Sequence, residues 1–183
     1  VRDVSRSRAV QPPCRLTDDR EAFLAAEFDV IVDVLSCERT GTQLCAHALP
    51  QGIDAVSASK RVIAQAYRSL ADAAAAGKSA LLYSAAVGGG APVLETVAEA
   101  RSQGTVQRVE AVLNGTVNFI LDRLHRSVSF DAALAEARAR GFAEEDCSND
   151  LSGADAAAKL RLIAAGAFGL DPCTVEVETE ALH

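Results

Sequence analysis

The chain contains no methionine, no tryptophan and no run of about 18 apolar residues. The last absence leaves no segment long enough to cross a bilayer as a helix, so no membrane role is expected. A basic stripe interleaved with aromatics is missing too. Aromatics are 4% of the composition, and 18 Lys and Arg against 25 Asp and Glu give a net charge of −7. That balance argues against a nucleic-acid partner. No C-x-x-C spacing exists among Cys14, Cys37, Cys45, Cys147 and Cys173. Neither a zinc site nor a disulfide frame is therefore indicated, and free thiols fit a reducing compartment, the cytoplasm. The first residues are charged and form no signal-like apolar segment. Neither G-x-G-x-x-G nor a P-loop occurs. Residue 1 is Val rather than Met and the sequence opens as if leaving a strand, so a clipped or fragmentary chain is expected.

What is present is ordinary for a globular fold: 183 residues, 49% apolar and 23% charged, enough for one core or slightly more. After Pro12-Pro13 a short helix is expected over residues 19–27. A β-branched run at 29–35, DVIVDVL, reads as a buried parallel strand. A helix over 38–49 stops at Pro50-Gln51-Gly52, a strand follows at 53–58, a helix at 61–76 capped by Gly77, and a third strand at 80–84. This alternation is that of a doubly wound α/β sheet, whose ligands bind off the C-terminal strand edge. Ser36, Ser59-Lys60 and residues 84–90 fall at that edge. Further on, helices are expected at 91–103, from Asn114 (with Asn114 or Thr116 as cap), at 131–140 and at 153–168. Alternation at 106–113 and 174–179 predicts two half-buried strands. The fold class is thus α/β: a partial Rossmann-type parallel sheet over residues 1–84, then an α+β part over 85–183, its last strand wanting a neighbour.

Two stretches carry chemistry. Residues 87–92, VGGGAP, form a glycine turn between strand and helix. They form either a plain helix entry or a set of inward carbonyls suited to a hard cation. Residues 141–159, GFAEEDCSNDLSGADAAAK, run from an acidic loop into an apolar helix. Asp155 and Lys159 stand four apart there and share a face, which by itself is an ordinary ion pair. His47 and His125 have no partner at metal-ligand spacing and read as helix-surface residues.

The run GFAEEDCSNDLSGADAAAKL resembles the signature of homoserine dehydrogenases. VSASKRVIA, YSAAVGGGAP and LNGTVNFIL are similar to three further segments of that family, in the same order. The resemblance implies NAD(P)H-dependent interconversion of L-aspartate 4-semialdehyde and L-homoserine, on the route to threonine, methionine and isoleucine, by a homodimer acting on a small amino-acid substrate. It makes Lys159 and Lys60 catalytic, and Glu144, Asp155 and Asp150 substrate-binding. Arg2, Ser36, Lys60 and Gly141 would meet the cofactor. The carbonyls of Ser84, Val87, Gly89 and Ala91 would hold Na+, and residues 114–116 would support the junction between the two parts. Arg2 lies where an arginine fits a 2′-phosphate, which favours NADP over NAD.

Physical reasons stand beside the resemblance. Hydride addition to an aldehyde builds negative charge on oxygen, which a positioned ammonium stabilises and then protonates. The substrate's α-ammonium needs carboxylates, and Asp155 can also hold Lys159 in place. The sequence departs from the family at Glu145 and Cys147, where prolines are usual, and at Asn149, Ser59 and Ser84. It also lacks the pyrophosphate-binding glycine motif. An alternative is a shortened, partner-dependent relative that binds an amino acid without its own dinucleotide loop, and another is a family member acting on a different amino-acid semialdehyde.

Overall fold

The computed structural model describes residues 14–183; Arg2 lies outside them. Three short parallel strands, β1 (Val30–Asp33), β2 (Asp54–Ser57) and β3 (Leu81–Leu82), form one sheet in the order β1-β2-β3. Val30 pairs with Asp54 and Ala55 with Leu81. The helices are α1 (Arg20–Leu24), α2 (Glu38–Ala48), α3 (Lys60–Gly77), α4 (Val93–Gln103), α5 (Gly115–His125), α6 (Phe130–Ala139), α7 (Ser148–Leu151) and α8 (Ala154–Phe168). Side chains cap four of them: Asp19, Ser59, Asn114 and Ser129 each accept an N–H of the first turn, satisfying donors that a helix leaves open.

The core is aliphatic. One cluster joins Leu49, Ala55, Val62, Ile63 and Leu70 to Leu162 and Ile163 of α8. A second gathers Ile120, Ala133, Ala137, Ala143 and Cys147 from α5, α6 and the loop beyond. The first cluster therefore draws the α8 helix onto α3, which brings the acidic stretch to the C-terminal edge of the sheet. The five cysteines are free thiols.

Four expectations are corrected. The run at 29–35 is covered on one face only: Ile31 and Asp33 are buried, whereas Val30, Val32 and Val34 are exposed. Both-sided burial needs helices on both faces of a parallel sheet, and among the described residues they lie on one. Residues 106–113 and 174–179 are not strands. Alternation makes a strand only when a neighbour accepts its backbone hydrogen bonds, and no described segment does; helices make up the second half. Finally, the left-handed cap of α3 is Lys78 (φ 56°), one residue past Gly77. Gly77 is needed for a different reason. A Cβ there would lie 1.9 Å from the Leu49 carbonyl oxygen, so the end of α3 passes where only glycine fits.

Candidate active site

Lys60 opens α3 directly after β2, and Asp155 and Lys159 share one face of the first turns of α8. The packing of α8 on α3 brings them together. The Lys60 Nζ lies 2.7 Å from one Asp155 carboxylate oxygen and the Lys159 Nζ lies 2.7 Å from the other. Lys159 also donates to the Leu113 carbonyl at 2.7 Å. The Asp155 side chain is only 13% exposed. Burial, the largest influence, pushes its carboxyl up. Hydrogen bonds from Lys159, Lys60 and Asn114, with the charge of Lys60, outweigh it and bring the pKa down to about 2. Two ammoniums against one carboxylate leave a net positive charge at this point.

A polar layer stands behind Asp155. Asn114 donates from Nδ2 to Asp150 at 2.7 Å and to Asp155 at 3.0 Å. The Thr116 hydroxyl, with a single proton, lies 2.6 Å from the Phe142 carbonyl and 3.2 Å from the second oxygen of Asp150. Phe142 is in turn stacked on Phe119 at 4.8 Å between ring centres, with Arg123 over the Phe119 ring at 4.8 Å. Gly153 enters α8 in the left-handed region (φ 78°), which lets α7 turn into α8 across Ser152 and Gly153 alone.

The strand ends carry a second buried arrangement. Asp33, at the end of β1, accepts from the Ser57 hydroxyl at 2.8 Å and from the Leu35 N–H at 3.0 Å. The Ser57 oxygen accepts the Ser59 N–H at 3.1 Å. This fixes the short link from β2 to Lys60.

Other expected residues lie nearby or apart. Glu144 and Gly141 line a cavity of about 320 Å³ together with Thr116, Asp146, Asn149 and Asp150. Ser36 lies with Cys37 and Thr40 in a separate cavity of about 350 Å³ at the end of β1. Cys37 caps α2, and the hydrogen bond from the Thr40 hydroxyl holds its thiol below the usual range. Around the glycine turn, the Ser84 carbonyl accepts the Val87 N–H and the Ala91 carbonyl accepts the Val93 N–H. Gly88 and Gly89 have positive φ. Two of the four expected carbonyls, those of Ser84 and Ala91, thus already accept a backbone N–H. Among the described residues no group of three His, Cys, Asp or Glu side chains is placed to hold a metal. A cavity of about 930 Å³ between α3, α4 and α8 contains none of these residues; its Arg68 is paired with Asp171.

Sequence reasoning missed the Leu113 carbonyl, the Asp33–Ser57 pair and the double donation from Asn114. Only the last left a signal, an Asn at a helix start; its reach to residues 36 and 41 positions away in sequence did not.

The family model for homoserine dehydrogenase matches residues 92–183, and that for the homoserine dehydrogenase NAD-binding domain matches residues 1–84. A homoserine dehydrogenase of Mycobacterium leprae is 37% identical over 170 residues, which cover 92% of this chain and 38% of that protein. The chain therefore spans about two fifths of the length of this curated relative. Among solved structures, a homoserine dehydrogenase from S. aureus superposes with a TM-score of 0.79 at 28% identity, covering 99% of this chain and 44% of that one. A hyperthermophilic archaeal homoserine dehydrogenase in complex with NADPH gives a TM-score of 0.72 at 29% identity, covering 78% and 44%.

Proposed function

Because this chain belongs to the homoserine dehydrogenase family, we propose that the protein carrying it interconverts L-aspartate 4-semialdehyde and L-homoserine with NADP or NAD. The observation that carries this reading is the pair of ammoniums on the two oxygens of Asp155, at the C-terminal edge of a parallel sheet.

When bound, the nicotinamide supplies or accepts the hydride. The chain's own residues do the rest. Lys159 and Lys60 present positive charge to the carbonyl oxygen, where negative charge grows as the aldehyde is reduced, and Lys159 gives that oxygen its proton. Asp155 keeps the two ammoniums in place and apart; with both its oxygens engaged, it acts through them more than on substrate directly. Glu144 and Asp150, on the acidic cavity, attract the substrate's α-ammonium. The site is thus cationic at the aldehyde end and anionic at the amino end, which matches a zwitterionic amino-acid aldehyde.

Ser36, Lys60 and Gly141 would meet the cofactor, and Arg2 would face a 2′-phosphate. The carbonyls of Ser84, Val87, Gly89 and Ala91 would hold Na+. The reading also includes a division into a cofactor-binding part up to residue 84 and a substrate part from residue 85, a cytoplasmic location, and a homodimer formed through the second part. Residues 106–113, which have exposed Val112 and no strand partner among the described residues, support that last element.

The test is NADPH oxidation with aspartate semialdehyde by the protein as the gene encodes it. Lys159→Ala is expected to lower kcat by at least ~10²-fold, the scale of a lost acid–base group. Undiminished turnover in that variant would remove Lys159 from the mechanism.

A further inference from the structure

Asn114 stands at the crossing of the site's hydrogen bonds. It precedes α5 as the helix cap, and its Oδ1 accepts the Val117 N–H at 2.9 Å. That bond fixes which way the amide faces: turned over, its oxygen would confront two carboxylates. The Nδ2 group therefore points away from the helix, and its two protons go to Asp150 at 2.7 Å and Asp155 at 3.0 Å. The residue is 9% exposed, so water is a poor substitute for it.

We propose that Asn114 is a positioning residue, whose single amide ties Asp150 to Asp155 and thereby sets the rotation of the Asp155 carboxylate that separates Lys60 from Lys159. The consequence for turnover rests on the proposed activity; the tie itself does not. A helix cap needs only an acceptor, and Ser or Asp serves there as well as Asn. What Asn adds is a pair of donors. Without them two neighbouring carboxylates, one on α7 and one on α8, repel across the gap. Asp155 Oδ2 then keeps Lys159 as its only partner, and the carboxylate is held only by two long, flexible lysine side chains, with no short side chain to set its rotation. The groups facing Asp155 are Lys60 from α3, Lys159 from its own helix, and Asp150 through the amide. Thr116, whose single proton lies nearer the Phe142 carbonyl, gives Asp150 little further hold.

Two variants separate cap from tie. Asn114→Ser keeps the cap acceptor, and Asn114→Asp keeps it while replacing the donors by a third negative charge. Asn114→Ser is expected to melt within about 3 °C of the parent, as a residue of similar capping strength should, and Asn114→Asp lower, because a third carboxylate then meets Asp150 and Asp155 away from water. Both are expected to lower kcat, by roughly 10-fold for Ser and more for Asp, with KM for NADPH unchanged. A 15N-edited NMR experiment reads the tie without any turnover: the Asn114 side-chain NH₂ signals should shift in both Asp150→Asn and Asp155→Asn. Signals unmoved by either change, or an Asn114→Ser variant with parental kcat and KM, would overturn the proposal. A protein inactive towards aspartate semialdehyde whose NH₂ signals still shift would refute the proposed activity and leave the tie standing.

Discussion

At the scale of the residue, Asp155 is the group whose state most directly sets the site. Its carboxyl is held at about pKa 2, below the ordinary range. A depressed carboxylate stabilises the fold fully above its unfolded pKa and loses that contribution as pH falls towards the folded value. The window here runs from about pH 4 to about pH 2, and the amount is about 2 kcal/mol by the linkage relation. Asp155→Asn should flatten this part of the stability curve, measured by urea unfolding across the window; equal slopes in parent and variant would show that the lysines do not stabilise the charge. The Asp155–Lys159 half of this arrangement was legible in the sequence, because a spacing of four puts two side chains on one helix face. The Lys60 half was legible only through the family resemblance, which put both lysines in one site, and its pairing with Asp155 was not. No local pattern relates residues 60 and 155, and only the shared core of α3 and α8 joins them. The chain has just three lysines, at 60, 78 and 159, and two of them meet on one carboxylate.

At the scale of the element, helices were read more surely than strands, for a physical reason. A helix carries its own hydrogen bonds and announces its start with a cap, as Ser59, Asn114 and Ser129 do here. A strand is half of a pair. Residues 106–113 alternate as a strand should, and still form none, since their partner is not among the described residues. Gly77 teaches a related lesson: sequence marks it as a turn residue, whereas its need is the Leu49 carbonyl against it. Gly77→Ala, normally helix-favouring, should destabilise by about 2–3 kcal/mol through a forced backbone shift. Chemical denaturation measures this, and a stabilised variant would mean that α3 can move off the residue 49–50 turn at no cost.

At the scale of the whole molecule, the largest core cluster ignores the division near residue 84. Leu162 and Ile163 pack with Val62 and Ile63, so the sheet part and the α8 helix should lose structure together. Tyrosine fluorescence from Tyr67 and Tyr83 and far-ultraviolet circular dichroism are expected to share one thermal midpoint, and two separated midpoints would show that the parts fold independently. The bare face of the sheet has a different consequence. Val30 and Val32 of β1, with Val34 just beyond it, present a strip of β-branched side chains to solvent, and among the described residues β1 is also an edge of the sheet. Such a strip is a template for adding further strands from other molecules. Taken by itself, this chain should therefore self-associate more as its concentration rises, by strand addition at β1, and light scattering across a dilution series checks that trend.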